Sequence, residues 1–526
     1  MDNLQKLKDS IEQGYNFSGD SLVLGSAMLG EDQVAQGAYI KAPLKMLNRH
    51  GLIAGATGTG KTKTIQLLAE EMATKGISVL LMDLKGDLSG LASAGTDNDA
   101  IQDRHEKIGI PYAVQKFPVE FLSLSQEKGA RLRATVTEFG PILFSKILEL
   151  NDNQSGIVSL IFKYSDDNGL PLLDLKDFKQ VIQHITNEGK EAVEKEYGAV
   201  STASTGTILR KIIELEQQGA NLFFGETSFD PEDLMRQDAY GNGLISVLRL
   251  TDMQDRPKLF STFMLSLLAE IYATFPEQGD ADRPKLCIFI DESHLIFKNA
   301  TKALLDQIES IVKLIRSKGV GLFFATQNPT DIPDAILSQL GFKAQHALRA
   351  FTAKDRKEIK LTAQNYPDSE FYDTAEMLTS LGIGEAAITV LDEKGRPTPL
   401  AHTMLRAPRT RMGILNDNEL DAIVGSSRLV AKYNETIDRE SAYEMLIERL
   451  ANEEKAAEEA AKNQNNDNNN TPNKPSSPRD EKEEGMFESL TKNTAVRQMG
   501  RTVFRELTRG LLGALTGRRT TRRRRW

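Results

Sequence analysis

Eight residues, GATGTGKT at 55–62, constrain the fold of this chain more than any other stretch. They meet the spacing G-x-x-x-x-G-K-[ST], and each fixed position has a physical reason. Gly55, Gly58 and Gly60 let a backbone close around phosphate oxygens with its N–H groups turned inward, Lys61 reaches β and γ phosphates, and the Thr62 hydroxyl can ligate Mg²⁺. Ala56, Thr57 and Thr59 complete the loop, so the whole run is the expected nucleotide site. The flanks agree: GLIAGA (51–56) is a short apolar, strand-like run, and KTIQLLAEEMATKG (63–76) has helical periodicity and ends in Gly.

The rest of the chain alternates in the same way. ISVLLMDLKGD (77–87) reads as a continuous apolar strand ending in acids, with Asp83 at its carboxyl end on the nucleotide side of the sheet. GLISVLRL (243–250), KLCIFIDES and GLFFATQ (321–327) read as further strands, separated by the helices PKLFSTFMLSLLAEIYATF and KALLDQIESIVKLIRSKG. Strands alternating with helices predict an α/β fold with a parallel sheet. The expected organisation is a small N-terminal β-rich unit (1–45), an ATPase core (46–410) interrupted by a helical insertion at about 135–222, a helical segment (411–462), an Asn- and Pro-rich linker (463–485) and a basic amphipathic tail (486–526).

KLCIFIDESH (285–294) is an apolar strand running into two adjacent acids. Opposite a phosphate loop, Asp291 can hold the Mg²⁺ shell and Glu292 can polarise the water that attacks the γ-phosphate. Taken alone the pair could equally cap the next helix. No Asn-Lys-x-Asp guanine-recognition segment occurs, so ATP is the expected nucleotide. GLFFATQNPTDIP delivers Gln327 from the end of its strand, where it would feel the γ-phosphate if that strand lies beside the one ending in Asp291.

GATGTGKT, DLKGD, FIDESH and FFATQNP in this order resemble the HerA/FtsK branch of RecA-like motor ATPases. LGSAMLG before the loop, RATVTEFGPILFSKILELN and QHALRAF fit the narrower group of bacterial HerA-like proteins known as DUF853. The resemblance covers about residues 15–410. It implies a RecA-like P-loop NTPase that forms a hexameric ring and binds ATP between subunits. It also implies Lys61 and Thr62 on the phosphates and Mg²⁺, Asp291 on Mg²⁺, Glu292 as catalytic base and Gln327 as sensor. Ring motors of this branch insert an arginine from a neighbouring subunit, which Arg316 of LIRSKGVGLFFATQ matches, with Arg349 in QHALRAF as second choice. A solvated cation at a helix or strand end is the alternative for both. Double-stranded DNA is the substrate the resemblance implies. A protein-directed or regulatory ATPase that threads no nucleic acid is the rival. HerA-type translocases begin with a longer β-barrel than the forty-odd residues here, and the basic tail is not part of the shared core.

Charge sharpens the question of partners. The net charge is −9, yet residues 486–526 hold eleven Lys or Arg against two Glu, leaving −18 for everything before them. Arg497, Arg501, Arg505 and Arg509 recur every four residues beside an apolar face, and the chain ends in RRTTRRRRW. Three readings of this tail stand side by side: phosphate backbone, anionic membrane surface, and an acidic partner or the acidic body of the same protein. No stretch approaches the eighteen or so apolar residues of a membrane span, and the N-terminus is too polar for a signal peptide, so a cytoplasmic protein is expected. The single Cys287 lies in the apolar run KLCIFI and is expected to be a buried hydrophobe.

Overall fold

Short apolar runs bounded by Gly, Pro, Asp or Asn become the strands of one sheet. The computed structural model describes residues 3–467 apart from Glu31, Asp280, 299–301, Thr436 and Asp438. In chain order the strands are β1 (Ser21–Leu29), β2 (Gln33–Pro43), β3 (Gly51–Ala54), β4 (Ser78–Asp83), β5 (Val119–Ser123), β6 (Ala130–Arg131), β7 (Ile245–Arg249), β8 (Leu286–Ile290), β9 (Val320–Thr326), β10 (Phe342–Gln345), β11 (Glu385–Thr389) and β12 (Ala401–Leu405). Their order across the sheet is β2-β1-β12-β11-β10-β3-β9-β8-β4-β7-β5-β6.

From β10 to β6 every neighbouring pair is parallel. β3, β4, β8 and β9 are buried at every position, which is why they read as uninterrupted apolar runs. Phe289 of β8 and Phe323 of β9 stack with ring centroids 4.7 Å apart, and Cys287 of β8, fully buried, pairs in register with Gly321 of β9. In-register pairing sets Ala54 beside Thr326, Phe324 beside Ile290, and Ile290 beside Met82. The loops that follow β3, β9, β8 and β4 therefore emerge together at one edge.

On the other side of β10 the sheet turns antiparallel through β11, β12, β1 and β2. The N-terminal strands thus extend the core sheet instead of forming a sheet of their own, because β12 returns to pair with β1. The helix Asn3–Gly14 buries Leu7 and Ile11, and the Tyr15 hydroxyl after it donates to Pro399 O at 2.9 Å. The helix Lys61–Thr74 is buried even at Glu70 and Glu71. Glu70 accepts the N–H groups of Arg409 (2.7 Å) and Thr410 (3.0 Å), while Glu71 pairs with Arg406 (3.0 Å) and Arg409 (2.9 Å).

The described residues divide into two compact units, those up to Leu132 with Phe229–Glu435, and Arg133–Ser228 with those after Glu435. The first holds the whole sheet. The second is helical: Val136–Ile147, Asp152–Asp167, Leu175–Thr186 and Thr202–Gln217 surround Phe139, Phe144, Phe162 and Phe178. Capping boxes at Thr135/Glu138, Asn151/Gln154 and Asp174/Asp177 start three of these helices. The helix Ala442–Asp467 belongs to this unit, anchored where the Ser441 hydroxyl donates to the buried Asp177 at 2.5 Å. It also runs through residues 463–467 of the stretch read as linker, since the Ala- and Glu-rich sequence before them favours helix. The remainder of the linker and the basic tail lie outside the described residues.

Candidate functional site

The loop after β3 is shaped by its glycines. Gly55, Gly58 and Gly60 have φ of 152°, 79° and 117°, conformations that side chains resist. At Gly55 space is closed as well, since a Cβ would lie 2.5 Å from the His346 Cβ. Thr59 is buried, its hydroxyl donating to Ala56 O at 2.7 Å and its carbonyl accepting the Gly384 N–H at 3.2 Å. Thr57 and Gly58 are exposed at the loop tip. The loop opens onto the first turn of the helix Lys61–Thr74, where backbone N–H groups and the positive end of the helix dipole favour an anion.

Lys61 is 5% exposed and folds over its own loop, donating to Gly55 O at 2.6 Å and Ala56 O at 3.1 Å. Burial, then the neighbouring Lys85, hold its ammonium below the usual lysine range. The Thr62 hydroxyl donates to Asp87 Oδ2 at 3.2 Å. His346, the residue after β10, backs the loop from beneath. Its Nδ1 faces Glu385 O at 2.7 Å and so carries the proton, which leaves Nε2 to accept from the Thr64 hydroxyl at 2.9 Å. Burial brings its pKa down to about 4, so it is a neutral buttress.

Asp291 and Glu292 leave the end of β8 and are 4% and 6% exposed. The helix that follows, His294–Phe297, has no side-chain cap, so neither acid is consumed in capping it. Glu292 holds a left-handed φ of 46°, an uncommon conformation for a residue with a side chain, and such strain concentrates at functional sites. Ser293 fixes the turn by donating both its N–H (2.9 Å) and its hydroxyl (3.0 Å) to Ala325 O of β9. The Glu292 carboxylate is ion-paired with Lys85 and lies 3.2 Å from His294 Nδ1. Burial pushes the Asp291 carboxyl up to about 6, with Lys85 opposing and Glu292 adding to the shift.

Lys85 and Asp87 come from DLKGD after β4. Sequence reading placed Asp83 on the nucleotide side, and it does end β4, yet its carboxylate is occupied by the loop itself. It accepts the N–H groups of Gly86 (2.7 Å), Asp87 (3.2 Å) and Leu88 (3.1 Å). Asp83 thereby aims the next two charges into the site. Lys85, Asp87, His294 and His346 went unnoticed in the sequence; a lysine and an acid directly after a buried strand were the available signal for the first two. The cluster sets Lys61 and Lys85 against Asp87, Asp291 and Glu292, an excess of one negative charge that favours the approach of a cation.

No group of three or more His, Cys, Asp or Glu among the described residues is arranged to hold a metal ion alone. Mg²⁺ beside a nucleotide needs less, because phosphate and water oxygens fill most of its shell. Asp87 Oδ1 is buried without a hydrogen-bond partner, and with Thr62 and Asp291 it forms an all-oxygen donor set that fits such an ion.

Gln327 leaves β9 between the strands of the phosphate loop and the acids, exposed and without a hydrogen bond among the described residues. Its neighbours are fixed: Thr326 donates to Asp331 at 2.8 Å, and Asn328 Nδ2 donates to Glu358 at 2.6 Å. Arg316 is elsewhere. It lies in the turn Arg316–Lys318 that precedes β9, hence at the opposite end of the strands from the phosphate loop. There it is exposed and lines a cavity of about 360 Å³ with Arg49, Lys313 and Lys343, and no carboxylate lines that cavity. Arg349, four residues beyond β10, is exposed at the phosphate-loop end. The fold thus brings together 55–62, Asp291, Glu292 and the strand end carrying Gln327, and holds Arg316 apart from them.

Known proteins resemble this chain in sequence and in fold. The family described as "Helicase HerA-like C-terminal" matches residues 28–522. Two curated relatives named "DNA double-strand break repair helicase HerA" are similar: the protein of Sulfolobus acidocaldarius is 22% identical over 68% of this chain and 65% of its own, and that of Saccharolobus solfataricus is 22% identical over 71% and 67%. The chain therefore spans about two thirds of the length of the relatives it matches. Among solved structures, the bacterial conjugative coupling protein TrwBdeltaN70 aligns with a TM-score of 0.50 at 14% identity, covering 78% of this chain and 94% of that one, a likeness of fold. With a family match over nearly its whole length and a P-loop between parallel strands, the chain belongs to the HerA-like helicase C-terminal family.

Proposed function

We propose that this protein is an ATP-hydrolysing motor that works as a hexameric ring and moves along or remodels double-stranded DNA. One observation carries the reading: two buried carboxylates, one with a strained backbone, end a strand separated from the phosphate-loop strand by the strand that delivers Gln327. In this reading the N–H groups of the loop beyond Ala56 cradle the phosphates of ATP, those of Gly55 and Ala56 being taken by Thr326 O and Ala347 O, and Lys61 swings from the loop carbonyls to the β and γ phosphates. Thr62, Asp87 and Asp291 hold Mg²⁺, which when bound neutralises phosphate charge. Glu292 accepts the proton of the attacking water, and its ion pair with Lys85 holds the carboxylate in place at the strand end. Gln327, free of other partners, contacts the γ-phosphate and registers its loss.

Arg316 has no route to the site of its own chain, being at the far end of the strands, and this supports a role toward the nucleotide of a neighbouring copy. The acid-free, cation-lined cavity it shares suits the approach of a triphosphate. The DNA assignment comes from the names of the relatives.

A second reading, an ATPase that acts on proteins, is favoured by the charge of −18 outside the tail. The ATPase rate measured with and without double-stranded DNA separates them. Stimulation of several-fold supports the DNA motor; an unchanged rate together with absent DNA binding supports the protein-directed enzyme.

A further inference from the structure

The segment leaving β10 carries a surface that nucleotide chemistry does not use. Phe351 is 85% exposed. It is followed by the helix Ala353–Ala363, whose Arg356, Lys357 and Lys360 are exposed while Ile359 is buried. Positions 356 and 360 are one helical turn apart and 357 lies three residues before 360, so the three cations share one face. The two carboxylates of the helix are already engaged. Asp355 accepts the N–H groups of Phe351 (2.9 Å) and Thr352 (2.8 Å), and Glu358 pairs with Lys354 (3.6 Å) and accepts from Asn328. Arg349, Arg356, Lys357 and Lys360 have no carboxylate partner among the described residues. Within a body of charge −18, a face of unpaired cations beside a bare aromatic ring is a local reversal of sign.

We propose that residues 351–360 form a nucleic-acid contact element, in which Arg356, Lys357 and Lys360 hold backbone phosphates and the Phe351 ring stacks on a base. The chemistry is that of strand-binding surfaces, where cations track phosphates and an aromatic side chain takes a base without regard to sequence. The element is joined to the nucleotide site at two points. The Ala56 N–H of the phosphate loop donates to Ala347 O at 2.8 Å, two residues before Arg349, and Asn328 beside Gln327 donates to Glu358 in the middle of the helix. A shift of the loop or of the strand end after β9 is therefore passed to the cationic face through direct hydrogen bonds. The inference rests on the DNA-motor reading and adds the surface that contacts the strand.

The full-length chain, tail included, tests it with random-sequence single- and double-stranded DNA as probes. In Arg356→Ser/Lys357→Ser/Lys360→Ser the ATPase rate without DNA should match the parent, the DNA-stimulated part should fall at least fivefold, and the slope of log affinity against log salt should drop by about two to three. Phe351→Ala should weaken single-strand binding by roughly fivefold to a hundredfold. The charge-preserving Arg356→Lys/Lys357→Arg/Lys360→Arg should restore stimulation, which a folding defect would not allow. If the parent binds and is stimulated by DNA but the serine variant is indistinguishable from it, the element is wrong while the motor reading stands. If the parent neither binds nor responds to DNA, the motor reading falls and this inference with it. Retention of the parent, but not of the serine variant, on poly-glutamate with no response to DNA would overturn the inference in favour of an acidic protein partner.

Discussion

Lys85 reaches from the loop after β4 to the carboxylate of Glu292 at the end of β8, so the proposed base is ion-paired to a lysine that sequence reading did not single out. Asp83 holds that lysine in place by accepting three backbone N–H groups of its loop. The pair gives a buried carboxylate a cationic partner. Lys85 also interacts with Asp291 and Asp87, so in the proposed mechanism it would be a second cation beside the γ-phosphate.

Glu292→Gln should preserve nucleotide binding and lower turnover by about 10² to 10⁴-fold, because the amide keeps the shape of the side chain and loses its basicity. Binding of a fluorescent ATP analogue alongside steady-state phosphate release checks both halves. Turnover within a few-fold of the parent would remove the base assignment.

Asp291 predicts a pH dependence with a definite sign. Its folded-state carboxyl is raised to about 6 from an ordinary value near 4. A raised acid binds its proton more tightly when folded, so it weakens stability as pH rises through that window. Asp291→Asn should therefore raise stability at pH 8 by up to about 3 kcal/mol and leave it nearly unchanged at pH 4, while abolishing turnover. Thermal melting across that range reads the first effect. A destabilised variant at pH 8 would contradict it.

How much of this was legible in the sequence depends on the kind of contact. β3, β4, β8 and β9 were readable because a strand buried on both faces leaves an uninterrupted apolar run, and the phosphate loop was readable because its glycines answer to local φ and close approach. β5 and the two-residue β6 were missed, being held by pairing with β7 and with each other rather than by any pattern of their own. His346 and the strap of Arg406, Arg409 and Thr410 over Glu70 and Glu71 were invisible for a related reason, since they join residues that only the folded sheet makes neighbours. Asp83 stands at the strand end where the sequence puts it, but the task of its carboxylate was not readable, because an acid at a strand end looks alike whether it meets solvent, a metal or its own backbone.

Arg316 is predicted to act in trans. Rings of Arg316→Ala subunits, or of Lys61→Ala subunits, should each hydrolyse ATP at under about one tenth of the parent rate, given the size of arginine-finger effects. Mixing them should recover part of the activity, because some interfaces then pair an intact phosphate loop with an intact Arg316. Mixed rings verified by differential tags, with no recovery, would exclude Arg316 and direct attention to Arg349.

The tail from 486 to 526 is where the two readings of the protein diverge most. If its arginines hold phosphate backbones, each one engaged releases counterions, so DNA affinity should fall steeply with salt and be indifferent to sequence. Deleting the tail should then weaken binding at least tenfold at low salt while basal ATP hydrolysis stays the same, because the described residues around the phosphate loop form the site among themselves. A membrane-surface role makes a different demand. Binding to vesicles of anionic lipid would need Leu511, Leu512 and Leu515 as well as the arginines, since insertion requires apolar side chains and not charge alone. Leu511→Glu separates the two: it should leave DNA binding nearly intact and abolish vesicle binding. DNA affinity unchanged by deletion of the tail, with vesicle binding lost in Leu511→Glu, would assign the tail to a membrane and leave the folded body as the place where DNA is held.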